Sequence, residues 1–247
     1  MNALLIVASG KSSRFGGFPK AFCQIGNKLN IQNTIDIAKN YYDIIYVGVN
    51  KGTYDKYGDA LKDCVPFWIK TGQGDAHSIL KCMYHIKGID TDIDRISICW
   101  GDAIFVDATP FKVINSNIAD DLVKVLCSID KNPYAWFDVD DRDAILKSHF
   151  AKNQQPIEEG IHDQSLFDCD FDYLLMYLNK YRESLCIPMD NDEDNSDINE
   201  MKFLYFFEFL INNDFEPAKC VYVKPGKVFS FNTQEELEEI KSILSMN

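Results

Sequence analysis

No acidic residue precedes Asp36, although the 247-residue chain carries 38 Asp and Glu against 25 Lys and Arg, a formal net charge of −13. An acid-free stretch in so acidic a protein marks local provision for an anion. The same balance excludes a nucleic-acid backbone as the main partner, because no basic stripe offsets the charge. No run of about 20 apolar residues occurs, so no membrane-spanning helix is expected. Met1 leads into an apolar strand with no basic segment ahead of it, so no secretory signal is expected either. None of the eight cysteines (23, 64, 82, 99, 127, 169, 186 and 220) belongs to a Cys-x-x-Cys pair. A structural zinc site and a disulfide framework are therefore not expected, and a reducing cytoplasmic setting is. Internal repeats and Gly/Ser linkers are lacking. Length and a hydrophobic fraction of 46% fit one domain over 1–247.

What the acid-free stretch does contain is a loop of small residues and spaced cations: Ala8-Ser9-Gly10-Lys11-Ser12-Ser13-Arg14-Phe15-Gly16-Gly17-Phe18, closed by Pro19-Lys20. It follows Ala3–Val7, an apolar run that reads as a buried strand. Glycine and serine let a backbone approach a polyphosphate, and amides in such turns form anion nests. Lys11, Arg14 and Lys20 supply counter-charge. A Walker loop would need glycine at position 5, where Leu5 stands, and the spacing of Gly10, Gly16 and Gly17 fails the dinucleotide fingerprint. A nucleoside triphosphate is the ligand this loop fits best; a plain surface loop is the competing reading, weakened because ligands favour the ends of buried strands.

Strands and helices alternate through the first half. Ala3–Val7, Ile44–Val49, Val65–Ile69 and Ile96–Trp100 read as strands. Asn30–Lys39 and Asp75–Ile86 carry apolar residues at helical spacing, with Asp75 placed to cap the second. This order predicts an α/β fold: a Rossmann-like, mostly parallel mixed sheet with helices on both faces. Residues 110–225 change character, with short strands at Leu122–Leu126, Tyr134–Asp138, Ala144–His149 and Lys219–Val223 and aromatic helices at Phe171–Tyr181 and Asn199–Asn212. The run Phe203–Leu210 reads as packed core. After Val228–Phe231, Thr233 and Glu236 have capping-box spacing, so a last helix begins there and reaches about Leu244.

Three acidic patterns bear on metal binding. Asp102 follows a strand and a glycine in Trp100-Gly101-Asp102, where a carboxylate can enter the crevice at the sheet's carboxyl edge. Magnesium takes one or two such protein ligands plus substrate phosphates; a bare turn aspartate is the alternative. Asp190–Asp197 has alternating carboxylates like the start of an EF-hand. Asn195 and Met201 stand where glycine and glutamate are required, so a solvated, mobile acidic loop is the preferred reading. Asp138-Val139-Asp140 offers the Asp-x-Asp of glycosyltransferases, or an exposed turn.

Leu4 to Gly10, Arg14 and Pro19-Lys20 together resemble the signature loop of nucleotidyltransferases with a glycosyltransferase-A-like fold. These include sugar-1-phosphate nucleotidyltransferases, molybdenum-cofactor guanylyltransferases and cytidylyltransferases. The resemblance implies a loop, Ala8 to Lys11, wrapped around a triphosphate, with Arg14 and Lys20 as catalytic cations. Ser9 stands where the signature usually has glycine or alanine. Phe231-Asn232-Thr233-Gln234-Glu235-Glu236-Leu237 is similar to the family's Asp/Asn-Thr-Pro-Glu-Glu-Leu segment, with Gln234 for proline, which implies Asn232 as a second Mg2+ ligand beside Asp102. Gly72-Gln73-Gly74-Asp75 resembles the segment under the nucleobase, with Gln73 and Gly74 as contacts; His77 reads as a helix-face residue. Lys152, after a strand, resembles the lysine that holds an acceptor's phosphate, although Ala151 replaces the usual glutamate. The family then implies Mg2+-dependent transfer of a nucleoside monophosphate, CMP from CTP first, to a phosphorylated small-molecule acceptor bound by an insertion at 110–220. A sugar-1-phosphate nucleotidyltransferase, a nucleotide-sugar-dependent glycosyltransferase and a non-catalytic nucleotide-binding regulator remain as alternatives.

Overall fold

A computed structural model describes residues 1–116, 121–153, 155–191 and 200–245. Strand β1 (Asn2–Ala8) lies near the middle of the main sheet. Its side chains alternate between two apolar cores, Ala3 and Leu5 in one, Leu4 and Ile6 in the other. A strand buried on both faces must be apolar at every position, which is why it reads as an unbroken run. A short hairpin, β2 (Gln24–Ile25) and β3 (Lys28–Leu29), leads into α1 (Asn30–Ala38). Then come β4 (Ile44–Val49), α2 (Lys51–Tyr57), β5 (Val65–Trp68), α3 (Asp75–Lys87) and β6 (Arg95–Trp100). β6, β1, β4 and β5 pair in parallel in that order.

The second half closes the sheet antiparallel. Strand β7 (Ile104–Phe105) and α4 (Thr109–Ser116) precede β8 (Val123–Lys131), β9 (Ala135–Val139), β10 (Ile145–Phe150) and β11 (Glu159–Asp170). β11 runs antiparallel to β6 and to β8. Helices α5 (Phe171–Ser184) and α6 (Phe203–Asn212) follow, then β12 (Lys219–Tyr222), β13 (Val228–Phe229) and α7 (Gln234–Ser245). The mixed sheet with helices on both faces is the expected α/β fold. Helices α3, α5 and α6 supply one core, α1 and α4 the other.

Most expected elements are found within one or two residues. Six were not anticipated: the short strands β2, β3 and β7, helices α2 and α4, and strand β11. Helix α2 is capped by Asn50, whose side chain accepts the Thr53 N–H at 2.9 Å. The capping box at the start of α7 forms in both directions, Glu236 N–H to Thr233 Oγ1 at 3.2 Å and Thr233 N–H to Glu236 Oε2 at 3.3 Å. The aromatic run on α6 is core, with Phe203, Phe206 and Phe207 fully buried; each such ring stabilises the fold by roughly 1.5–3 kcal/mol. Positions 192–197 of the acidic run lie outside the described residues.

One charged cluster is built into the sheet. Asp168 on β11 takes Lys124 of β8 at 2.9 Å and Arg95 of β6 at 2.7 Å, and accepts Ser97 Oγ–H at 3.0 Å. Lys124 also donates to the Ile114 carbonyl at 2.9 Å, tying the end of α4 to the sheet. All eight cysteines are free, and no described helix is long and apolar enough to cross a membrane.

Candidate active site

A cavity of about 980 Å³ opens at the carboxyl ends of β1 and β6. Ala8, Ser9, Gly10, Lys11, Ser12, Ser13 and Arg14 line it in unbroken sequence, and Lys20 joins them. The loop's shape comes from local chemistry. Ser12 adopts φ +50°, and its carbonyl accepts the N–H groups of Phe15 at 2.8 Å and Gly17 at 3.0 Å. Ser9 is buried, and its carbonyl accepts Thr71 Oγ1–H at 2.7 Å. At Gly10 no atom lies within 4 Å of where a side chain would begin. The surrounding protein therefore leaves that face of the loop open.

Lys20 organises the cationic side. Its Nζ donates to Asp102 Oδ2 at 2.9 Å, to the Phe231 carbonyl at 2.7 Å and to Asn232 Oδ1 at 3.4 Å. The two residues expected to hold a metal are thus brought together, around one cation. Asn30 sets the turn that carries Asp102. Its buried side-chain amide donates to the Gly101 carbonyl at 3.1 Å and the Ala103 carbonyl at 2.9 Å. Gly101 is required there: a Cβ would stand 2.7 Å from Ala8 Cβ and 3.0 Å from Ala21 Cβ. A carboxylate, an amide oxygen and a main-chain carbonyl form a hard-oxygen set already facing a positive charge. This suits Mg2+, which takes few protein ligands and completes its shell with phosphates and water. Among the described residues no three His, Cys, Asp or Glu side chains converge as a preformed metal cage.

The turn before α3 is held from the other side by Asn191 and by residues 201–203. Gly74 has φ +97°, and a side chain there would meet the Met201 backbone at 2.5 Å. The expected reason for this glycine, approach of a nucleobase, therefore has a companion in the protein itself. Gln73 is buried, and its Oε1 accepts Asn191 Nδ2–H at 2.7 Å. Both Gln73 and Gly74 line the cavity. Gly74 caps the helix, and Asp75 has a different part from the expected cap. Its Oδ1 accepts Ala76 N–H at 2.8 Å and Phe203 N–H at 2.7 Å, joining α3 to α6. Burial pushes its carboxyl up to about 6. His77 is wholly buried on α3, where its Nδ1 accepts the Gln73 N–H at 3.1 Å. Burial lowers its pKa to about 4.

Lys152 lines the same cavity, and beside it stands Lys202, which the aromatic run hid from sequence reasoning. Contact with the Lys202 ammonium, the largest influence, and the charge of Arg14 hold the Lys152 amine below the usual lysine range. Asp138 and Asp140 lie elsewhere. Asp138 pairs with His149 at 2.8 Å, and Asp140 accepts the N–H groups of Arg142 and Ala144 within its turn. Neither is among the residues lining the cavity.

Residues 4–157 match a family model described as the MobA-like NTP transferase domain. A stretch of 83 residues is 35% identical to a Clostridium perfringens protein named "Probable molybdenum cofactor guanylyltransferase", covering 33% of this chain and 39% of that protein's length. Among solved structures, the inositol-1-phosphate CTP transferase from T. maritima superposes with a TM-score of 0.73 at 15% identity, over 99% of this chain and 94% of that one. The 4-diphosphocytidyl-2C-methyl-D-erythritolsynthase from Anaerococcus prevotii superposes with a TM-score of 0.64 at 17% identity, over 99% and 98%. At these identities the likeness is one of fold.

Proposed function

The chain belongs to the MobA-like NTP transferase domain family, and on that footing we propose that it is a Mg2+-dependent nucleotidyltransferase. It joins a nucleoside monophosphate, CMP from CTP first, to a phosphorylated small-molecule acceptor and releases pyrophosphate. One observation carries this reading: the Ala8–Arg14 loop, Lys20, Asp102, Asn232 and Lys152 all face a single cavity.

An acceptor phosphate oxygen attacks the α-phosphorus in line. A new P–O bond forms as the bond to the β-phosphate oxygen breaks, and pyrophosphate carries away the charge. The acceptor is already an anion, so no strong general base is needed; positioning and charge neutralisation supply the rate. Arg14 and Lys20 neutralise the departing phosphates, Ala8 to Lys11 provide the small-residue bed beneath them, and Gln73 and Gly74 border the base. Asp102 and Asn232 are the residues that would hold Mg2+. When bound, the ion draws charge from the triphosphate oxygens as a Lewis acid. Lys152 binds the acceptor, whose pocket is built by residues 110–220.

Our first assignment is a CTP:phosphoglutamine cytidylyltransferase of capsule phosphoramidate biosynthesis, with CDP-glutamine as the product. Sugar-1-phosphate nucleotidyl transfer is the second reading, favoured by Lys152 facing the cavity from the loop after β10. The test offers CTP, UTP, GTP and dTTP with Mg2+ to a panel of phosphometabolites, including phosphoglutamine and hexose 1-phosphates, and follows pyrophosphate. Release that requires CTP and an acceptor, and that stops on chelation, supports the proposal. Triphosphate binding with no turnover on any acceptor overturns it.

A further inference from the structure

Strand β11 does not run evenly past the cavity. Between the pairs Asp163–Cys127 and Phe167–Val125 it takes a register shift, four residue steps against two on β8. Ser165, inside that stretch, has φ +56°. Bulges re-aim side chains and concentrate next to active sites. This one leaves Asp163, Gln164 and Ser165 buried in succession, at 8%, 5% and 9% exposure. Gln164 turns away to Asp130, Nε2 to Oδ2 at 3.0 Å. Asp163 and Ser165 line the cavity. Asp163 Oδ1 accepts the Ser165 N–H at 3.1 Å, and Oδ2 lies 3.9 Å from the His162 ring. Burying a carboxylate is unfavourable unless hydrogen-bond donors meet its oxygens, and here the residue borders a space that a ligand can enter.

The other pole is cationic. Lys152 and Lys202 line the same cavity, near enough that each shifts the other's amine. Lys202 is steadied by Glu200 at 3.3 Å and by the faces of Phe150 at 5.3 Å and Tyr205 at 5.9 Å. Two adjacent ammonium groups repel, and an anion placed between them removes the repulsion. Phe150 and Tyr134, ring centroids 6.2 Å apart, line the cavity as well and give it an apolar wall for a carbon skeleton.

We propose that these residues form a two-pole acceptor site, in which Lys202 joins Lys152 on the acceptor's phosphate and Asp163 selects acceptors bearing a hydrogen-bond donor, hydroxyl or ammonium, on their carbon body. The word acceptor rests on the nucleotidyl-transfer reading. The binding preference does not, so it is measured without turnover.

The probes are cyclohexyl phosphate and its 4-hydroxy and 4-amino derivatives, titrated calorimetrically into the full chain without nucleotide. The donor-bearing probes bind the wild type about tenfold more tightly than the parent, the factor for one hydrogen bond to a charged group. Asp163→Asn keeps the parent's Kd and loses the amino probe's advantage. Lys202→Gln weakens all three about tenfold and keeps their ranking. Equal or absent binding of the three by the wild type, an unchanged amino advantage in Asp163→Asn, or unchanged affinities in Lys202→Gln would each overturn the site. The ranking of probes by the wild type needs no variant to fold, and the ratio between hydroxy and amino probes tells which donor the acceptor carries. If the ranking holds while no pyrophosphate appears with CTP, the transfer reading fails and the binding site stands.

Discussion

Lys20 Nζ lies 2.9 Å from Asp102 Oδ2 and donates at 2.7 Å to the Phe231 carbonyl beside Asn232. One ammonium thus fastens the loop after β1 to the turn after β6 and to the approach to α7. Its position brings three distant stretches together at one cavity. The Lys20 side chain is only 12% exposed, so its charge is poorly screened.

Removing either partner of that pair should end catalysis before it ends folding. Lys20→Ala and Asp102→Ala are each expected to lower kcat by at least about 10²–10³, the range for losing one preorganised charge-stabilising group. Pyrophosphate release measures the rate, and far-ultraviolet circular dichroism checks the fold. Near-wild-type turnover from either folded variant would remove these residues from the mechanism.

Gly74→Ala should destabilise without touching any ionisable group. The φ of +97° disfavours alanine, and its Cβ would press on the Met201 backbone. The expected loss is about 1–3 kcal/mol, or a fall in Tm of roughly 2–12 °C for a chain of this size. Calorimetry measures it; an unchanged Tm would mean that residues 201–203 do not rest on this turn.

The parallel half of the fold was legible because its strands are buried on both sides and so are apolar throughout. The cavity-lining loop Ala8–Arg14 was legible because its composition departs so sharply from the acidic average. Strand β11 was not, since Asp163-Gln164-Ser165 interrupts its apolar pattern at a bulge that sequence cannot display. Helix α2 has Thr53 as its one buried residue and so shows little apolar stripe. Lys202 sits at the head of a core helix, where its neighbours spell packing and conceal a cavity residue. Asn30 was seen only as the start of a helix; its grip on the Asp102 turn depends on β6 arriving alongside. Asp75 was expected to cap its own helix; Gly74 holds the cap position, and tertiary structure gave Asp75 the Phe203 N–H of α6.

Stability should depend on pH through Asp75. Burial raises this carboxyl from its ordinary 3.8 to about 6, so between those values the folded chain keeps a proton that the unfolded chain has released. Its contribution to stability is greatest at low pH, falls as pH rises through that window, and is constant above it. Asp75→Asn cannot titrate. The unfolding free energy of wild type minus Asp75→Asn should therefore drop by up to about 3 kcal/mol from pH 4 to pH 7. His77, with its pKa lowered to about 4, has the opposite slope but is present in both proteins and largely cancels. Urea titrations at both pH values supply the difference; a difference independent of pH would contradict the burial of the charge.

The buried ion cluster should be intolerant of half-removal. Lys124→Met leaves Asp168 with the Arg95 cation and the Ser97 hydroxyl, in a setting where the Asp168 side chain is 5% exposed. Breaking a buried pair from one side typically costs about 3–5 kcal/mol. Chemical denaturation of Lys124→Met should show a loss of that order. A loss below about 1 kcal/mol would place the pair in the class of weak surface bridges.

A crystal of the protein grown with a non-hydrolysable CTP analogue and Mg2+ bears most directly on the whole picture. The expected map has the triphosphate against Ser9 to Arg14 and Lys20, with the ion touching Asp102. Nucleotide bound away from this cavity, with the cavity empty in the same crystal, would contradict it.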